Sequence, residues 1–116
     1  LYDLNSLYAG ELAEQSHGEG FLDFFTSRLK PGGLYLLDEP EGALSYEKQY
    51  ALALMIRDGA ADSQFILATH SPILTAIPGA AILEAGEEGF LPRRYEDLEN
   101  IQFLKLFMEA PQRMFR

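Results

Sequence analysis

Two short apolar runs, LYLLD at positions 34–38 and QFILAT at 64–69, limit most what this chain can fold into. Neither run alternates apolar with polar residues, and both are bounded by breakers. Each is therefore expected to be a strand buried on both faces, and strands of that kind belong to parallel sheets covered by helices. Between them, Ser45 to roughly Asp58 carries Tyr50, Leu52, Leu54, Met55 and Ile56 in a helix-forming context, with Gly59 expected to close it.

The flanking segments extend the alternation. Ser16 followed by Glu19 predicts a capped helix whose apolar face is Phe21, Leu22, Phe24, Phe25 and Leu29, stopped by Lys30-Pro31-Gly32-Gly33. Pro72 is expected to open a short helix ending near Pro78-Gly79. AAILEA and FLPRRY flank GEEG as the strands of a hairpin bracketed by Gly86 and Gly89. A helix over Asp97 to Met108 and a last turn from Pro111 follow, while the first fifteen residues predict no element. Strands alternating with helices imply an α/β sheet with parallel central strands, in one unit or part of one spanning 1–116.

Composition excludes several classes. With 116 residues, 47% of them hydrophobic, the chain can bury a core. It has no cysteine, hence no disulfide or thiolate metal site, and no twenty-residue apolar stretch to cross a bilayer. No secretory leader opens it, so a soluble protein of the cytoplasm is expected, and Leu1 in place of Met suggests that an N-terminal part is missing. The net charge of -9 opposes a surface that as a whole attracts nucleic acid. Arg93, Arg94, Arg113 and Arg116 leave local nucleic-acid contact open without indicating it.

Open α/β sheets bind ligands beyond the carboxyl ends of their strands. Asp38 and Glu39 stand at one such end and His70 at another, so parallel neighbours would bring them to one sheet edge. Asp38 at the end of a buried strand suits Mg²⁺, a hard ion that keeps much of its water. Alternation along an extended chain would point Glu39 elsewhere, free to orient or deprotonate an attacking water, with His70 positioning a phosphate and that water. Each signal has a plainer reading beside it. Asp38-Glu39-Pro40 also fits a solvated turn, His70-Ser71-Pro72 a helix entry capped by Ser71 with the imidazole packed, and SHGEG a capping box.

Taken together, QSHGEGF, GLYLLDEPEGALS and QFILATHSP resemble the C-terminal half of an ABC-type ATPase of the small bacterial AAA-like, RecF/SMC-related branch. The tail from Tyr95 resembles the closing helices of that branch. The resemblance implies that LYLLDE is the Walker B segment of a P-loop NTPase-like sheet, with Asp38 on Mg²⁺ and Glu39 as the catalytic carboxylate. It makes His70 the H-loop histidine. It places Ser16, His17, Gly18 and Glu19 at the ABC signature, which binds the γ-phosphate of ATP held by the other subunit of a dimer. Ser16 and Gly18 match that signature, whereas His17 and Glu19 depart from its common Gly and Gln. Ser45 stands where the D-loop usually has aspartate, which puts the role of that position across the dimer in doubt.

The P-loop pattern G-x-x-x-x-G-K-[ST] is absent, since none of Lys30, Lys48 and Lys105 has that context. The resemblance thus implies a missing N-terminal half that supplies the Walker A strand, beside QFILAT in the sheet, and a 116-residue chain inactive alone. Two other classes stay open. One is a Mg²⁺-dependent nuclease or phosphatase using Asp38, Glu39 and Glu41, with Glu84 as the further acid it needs. The other is a non-catalytic interaction module.

Overall fold

In the computed structural model, which describes residues 2–3 and 17–116 and side chains from residue 20 onward, the two apolar runs form neighbouring strands. Strands β1 (Tyr2–Asp3), β2 (Leu34–Asp38) and β3 (Gln64–Ala68) lie side by side in that order, all parallel. The β2–β3 register runs from Leu34 opposite Gln64 to Asp38 opposite Ala68. Parallel neighbours need a crossover, and α2 (Tyr46–Gly59) supplies it, following α1 (His17–Arg28) in the chain. Two units emerge, Leu1–Pro78 and Gly79–Arg116.

One face of the first unit's sheet carries the core. Tyr35 and Leu37 of β2, with Phe65 and Leu67 of β3, pack against Phe21, Phe24 and Phe25 of α1 and Leu52, Ala53 and Ile56 of α2. The opposite face is open among the described residues, with Ile66 51% exposed. The expectation of burial on both sides is therefore corrected for β3, whereas Leu34 and Leu36 of β2 are half-buried on that face. Along β3 exposed and half-buried residues alternate, as they do where the described helices lie against one face.

Tyr35 locks the turn that leads into β2. Its ring is fully buried, and its hydroxyl accepts a hydrogen bond from the Lys30 N–H at 2.6 Å and lies 3.1 Å from the Arg28 carbonyl at the end of α1. Gly32 takes φ 74°, left-handed backbone that glycine adopts without steric cost, and its N–H donates to the Asp62 carbonyl at 2.9 Å. A Cβ on Gly33 would come within 2.5 Å of the Tyr35 ring.

Helix α2 starts on Ser45, whose Oγ accepts from the Lys48 N–H at 3.3 Å. It ends at Gly59, as expected, with Ala60 as an αR cap. The glycine also serves close approach, since a Cβ there would lie 2.9 Å from the Phe65 ring. The helix expected from Pro72 is corrected to a single 3₁₀ turn over Leu74–Ala76. The amides of Ile73 and Leu74 at its start are capped by the Ser71 hydroxyl.

In the second unit, β4 (Leu83–Gly86) and β5 (Gly89–Pro92) form the expected antiparallel hairpin, closed by Gly86 opposite Gly89 with Gly89 at φ 104°. Helix α3 (Glu99–Glu109) begins later than expected because Tyr95–Asp97 forms a 3₁₀ turn. Glu84 joins the pieces of this unit. Its Oε1 pairs with Arg93 at 3.0 Å and its Oε2 accepts the Glu99 N–H at 2.9 Å. The Arg94 guanidinium is held above its ordinary pKa by a hydrogen bond to Asp97 and by the nearby charge of Glu96. Pro111–Phe115 adds a terminal 3₁₀ turn. No helix among the described residues is long and apolar enough to cross a membrane.

Candidate functional site

Strands β2 and β3 end level with each other, and the Glu39 N–H donates to the Ala68 carbonyl at 2.7 Å, carrying the ladder one residue further. The chain then turns sharply. Glu39 sits at φ 48°, ψ 55°, the one non-glycine with positive φ among the described residues. Left-handed backbone costs a side-chain-bearing residue about 1–2 kcal/mol, and such outliers gather at functional sites. Pro40, fixed near helical φ, opens the following 3₁₀ turn over Pro40–Ala43.

That turn decides where the Glu39 carboxylate goes. The expected alternation presupposed extended backbone, whereas the left-handed conformation brings Glu39 Oε1 to 2.9 Å from His70 Nδ1. An ionised carboxylate only accepts hydrogen bonds, so the pair is a hydrogen bond to such a carboxylate in the tautomer that carries its proton on Nδ1. The imidazole is 83% and the carboxylate 58% exposed, so the ring is not packed as in the plainer reading of HSP. A pair so exposed adds little to stability.

A second set of bonds fastens the loop that bears His70. Glu41 Oε1 accepts from Thr69 Oγ1 at 2.6 Å and Oε2 from the His70 N–H at 2.8 Å. One residue on, the buried Ser71 accepts from the Ile73 and Leu74 amides at 3.1 and 3.0 Å and donates to Gln49 Oε1. Gln49 Nε2 in turn donates to the Leu44 carbonyl at 3.1 Å. Ligand atoms of Glu39, Glu41 and His70 thus lie within 4.8 Å of one another.

Of the residues singled out from the sequence, Asp38, Glu39 and His70 stand at one end of β2 and β3. Asp38 is an exposed carboxylate on a strand paired on both sides, an oxygen donor of the kind Mg²⁺ takes while keeping its water. His17, Gly18 and Glu19 form the first turn of α1, and Ser16 lies outside the described residues. Glu84 has both oxygens engaged inside the second unit. Sequence reasoning missed the roles of Glu41, Thr69 and Gln49. The one available signal was a third acid two residues after the pair, and it has no fixed partner in a linear sequence.

The comparisons with known proteins agree with this architecture. The family model described as "AAA domain, putative AbiEii toxin, Type IV TA system" matches residues 13–76, more than half of the chain. The chain belongs to this family, and is thus an AAA/ABC-type ATPase-related domain. No curated protein matches it. Among solved structures, one described as "Structural biochemistry of ATP-driven dimerization and DNA stimulated activation of SMC ATPases" matches with a TM-score of 0.58 at 18% identity. The match covers 83% of this chain and 63% of that one, so this chain spans less than two thirds of its relative's length. At that identity the likeness is one of fold, a small parallel sheet with helices.

Proposed function

We propose that this chain is the C-terminal part of an ABC-type ATPase domain and carries the hydrolytic side of its nucleotide site. The observation that supports this most is the Glu39–His70 pair at the common carboxyl end of two parallel strands. In this reading Glu39 is the catalytic carboxylate. His70 Nδ1–H holds one of its oxygens, which leaves the other to orient and deprotonate the water that attacks the γ-phosphate. Its exposed ring would be free to brace the phosphate.

Asp38 would hold Mg²⁺, which supplies neutralisation of phosphate charge when bound. The P-loop that cradles ATP would come from a part of the protein outside these 116 residues, because the pattern does not occur within them. Ser16, His17, Gly18 and Glu19 at the start of α1 would close over the γ-phosphate bound by a second copy. Backbone amides and the positive end of a helix are what an anion needs there. ATP-driven dimerization is the described property of the SMC ATPases whose fold this chain shares, which supports a homodimer with nucleotide at its interface.

Glu39→Gln in the longer protein tests the assignment. The amide cannot take a proton from water, so the variant is expected to accumulate as an ATP-bound dimer in size-exclusion chromatography with light scattering. Turnover at the unsubstituted rate would sink the role given to Glu39.

A further inference from the structure

We propose that Glu41 is a positioning residue that holds the His70 imidazole at Glu39; the kinetic part of its test rests on the ATPase reading above. Glu41 comes from the 3₁₀ turn after β2, and both donors to its carboxylate come from the two residues that follow β3. One side chain therefore ties the two strand-end loops together. An imidazole that is 83% exposed is held little by packing, so the backbone at Thr69 and His70 helps to set its place beside the bond to Glu39. Ser71 and Gln49 anchor the inner side of this loop to α2, and Glu41 anchors the outer side.

Two features make the carboxylate of Glu41 specific. Oε1 and Oε2 each accept one bond, from Thr69 Oγ1 and from the His70 N–H, so an amide at this position keeps only one acceptor. Aspartate keeps the charge but falls short by one carbon–carbon bond, roughly 1.5 Å. Positioning and a through-space effect of charge thus rank the two conservative variants in opposite orders.

The experiment compares Glu41→Ala, Glu41→Gln and Glu41→Asp in the longer protein, with thermal midpoints as the folding control. Positioning predicts that kcat for ATP falls about 10²-fold in Glu41→Ala with KM little changed, because misplacement by an ångström costs about that much. Glu41→Gln is then partly rescued and Glu41→Asp is not. An unchanged kcat in Glu41→Ala, or Asp restored above Gln, overturns the inference. Should Glu41→Ala fail to fold, the order of Gln and Asp decides alone. If even the unsubstituted protein does not hydrolyse ATP, the ATPase reading fails separately and crystal structures of the variants decide. A His70–Glu39 pair opened beyond hydrogen-bond reach in Glu41→Asp supports the inference, and one still at 2.9 Å overturns it.

Discussion

Replacing Ser71 with alanine removes a single oxygen that makes three hydrogen bonds in the interior of the first unit. Ser71 is 2% exposed and its partner Gln49 6% exposed. The substitution leaves the Leu74 amide, which is buried, and the Ile73 amide, which is partly buried, without their acceptor, and Gln49 Oε1 without its donor. An unsatisfied buried group costs about 1–3 kcal/mol, and partial hydration at Ile73 softens that share, so the local loss is about 2–4 kcal/mol. Gln49→Ala breaks the same bond from the other side together with its bond to the Leu44 carbonyl. The double variant should therefore cost less than the sum of the two by about 1–2 kcal/mol. Hydrogen exchange followed by mass spectrometry over residues 69–76 reads this locally. At about 1.4 kcal/mol per tenfold, exchange in Ser71→Ala should quicken roughly 30- to 700-fold. Exchange within threefold of the unsubstituted protein, or strict additivity of the two substitutions, would refute the network as the anchor of the His70 loop.

Tyr35→Phe keeps the buried ring but strips the Lys30 amide of its acceptor, so it should cost about 1–3 kcal/mol, read as a lower denaturation midpoint. Gly33→Ala sets a methyl against the fully buried Tyr35 ring and should cost a similar amount, about 1–3 kcal/mol, because that ring has no room to yield. Ser45→Ala removes the N-cap of α2 and should cost about 1 kcal/mol; a neutral result by chemical denaturation would contradict the capping geometry.

Elements bounded by strong breakers were legible in the sequence. Pro31-Gly32-Gly33, Ser45 and the Gly86–Gly89 pair locate β2, α2 and the hairpin, because each demands a local backbone that few other residues favour. β1 was not legible, since two residues, Tyr2–Asp3, carry no period. Gly59 marked the end of α2 in the sequence, whereas its close approach to the Phe65 ring was not legible, because that contact is tertiary. The apolar content of β3 suggested burial on both faces, yet among the described residues only one face is packed against helices, because a strand's composition does not say on which face helices lie. At the site, Asp38, Glu39 and His70 could be named from their places after strands. The left-handed turn at Glu39 and the bonds from Glu41 could not, because both depend on the β2–β3 register.

The most direct measurement is Mg²⁺-dependent ATP hydrolysis by the 116-residue chain beside a longer protein extended upstream of Leu1. The account predicts no turnover by the chain alone, turnover by the longer protein, and its loss on Glu39→Gln. Equal inactivity of both proteins would contradict the account and favour a non-catalytic interaction module, and phosphate release by the chain alone would contradict the dependence on a P-loop from outside it.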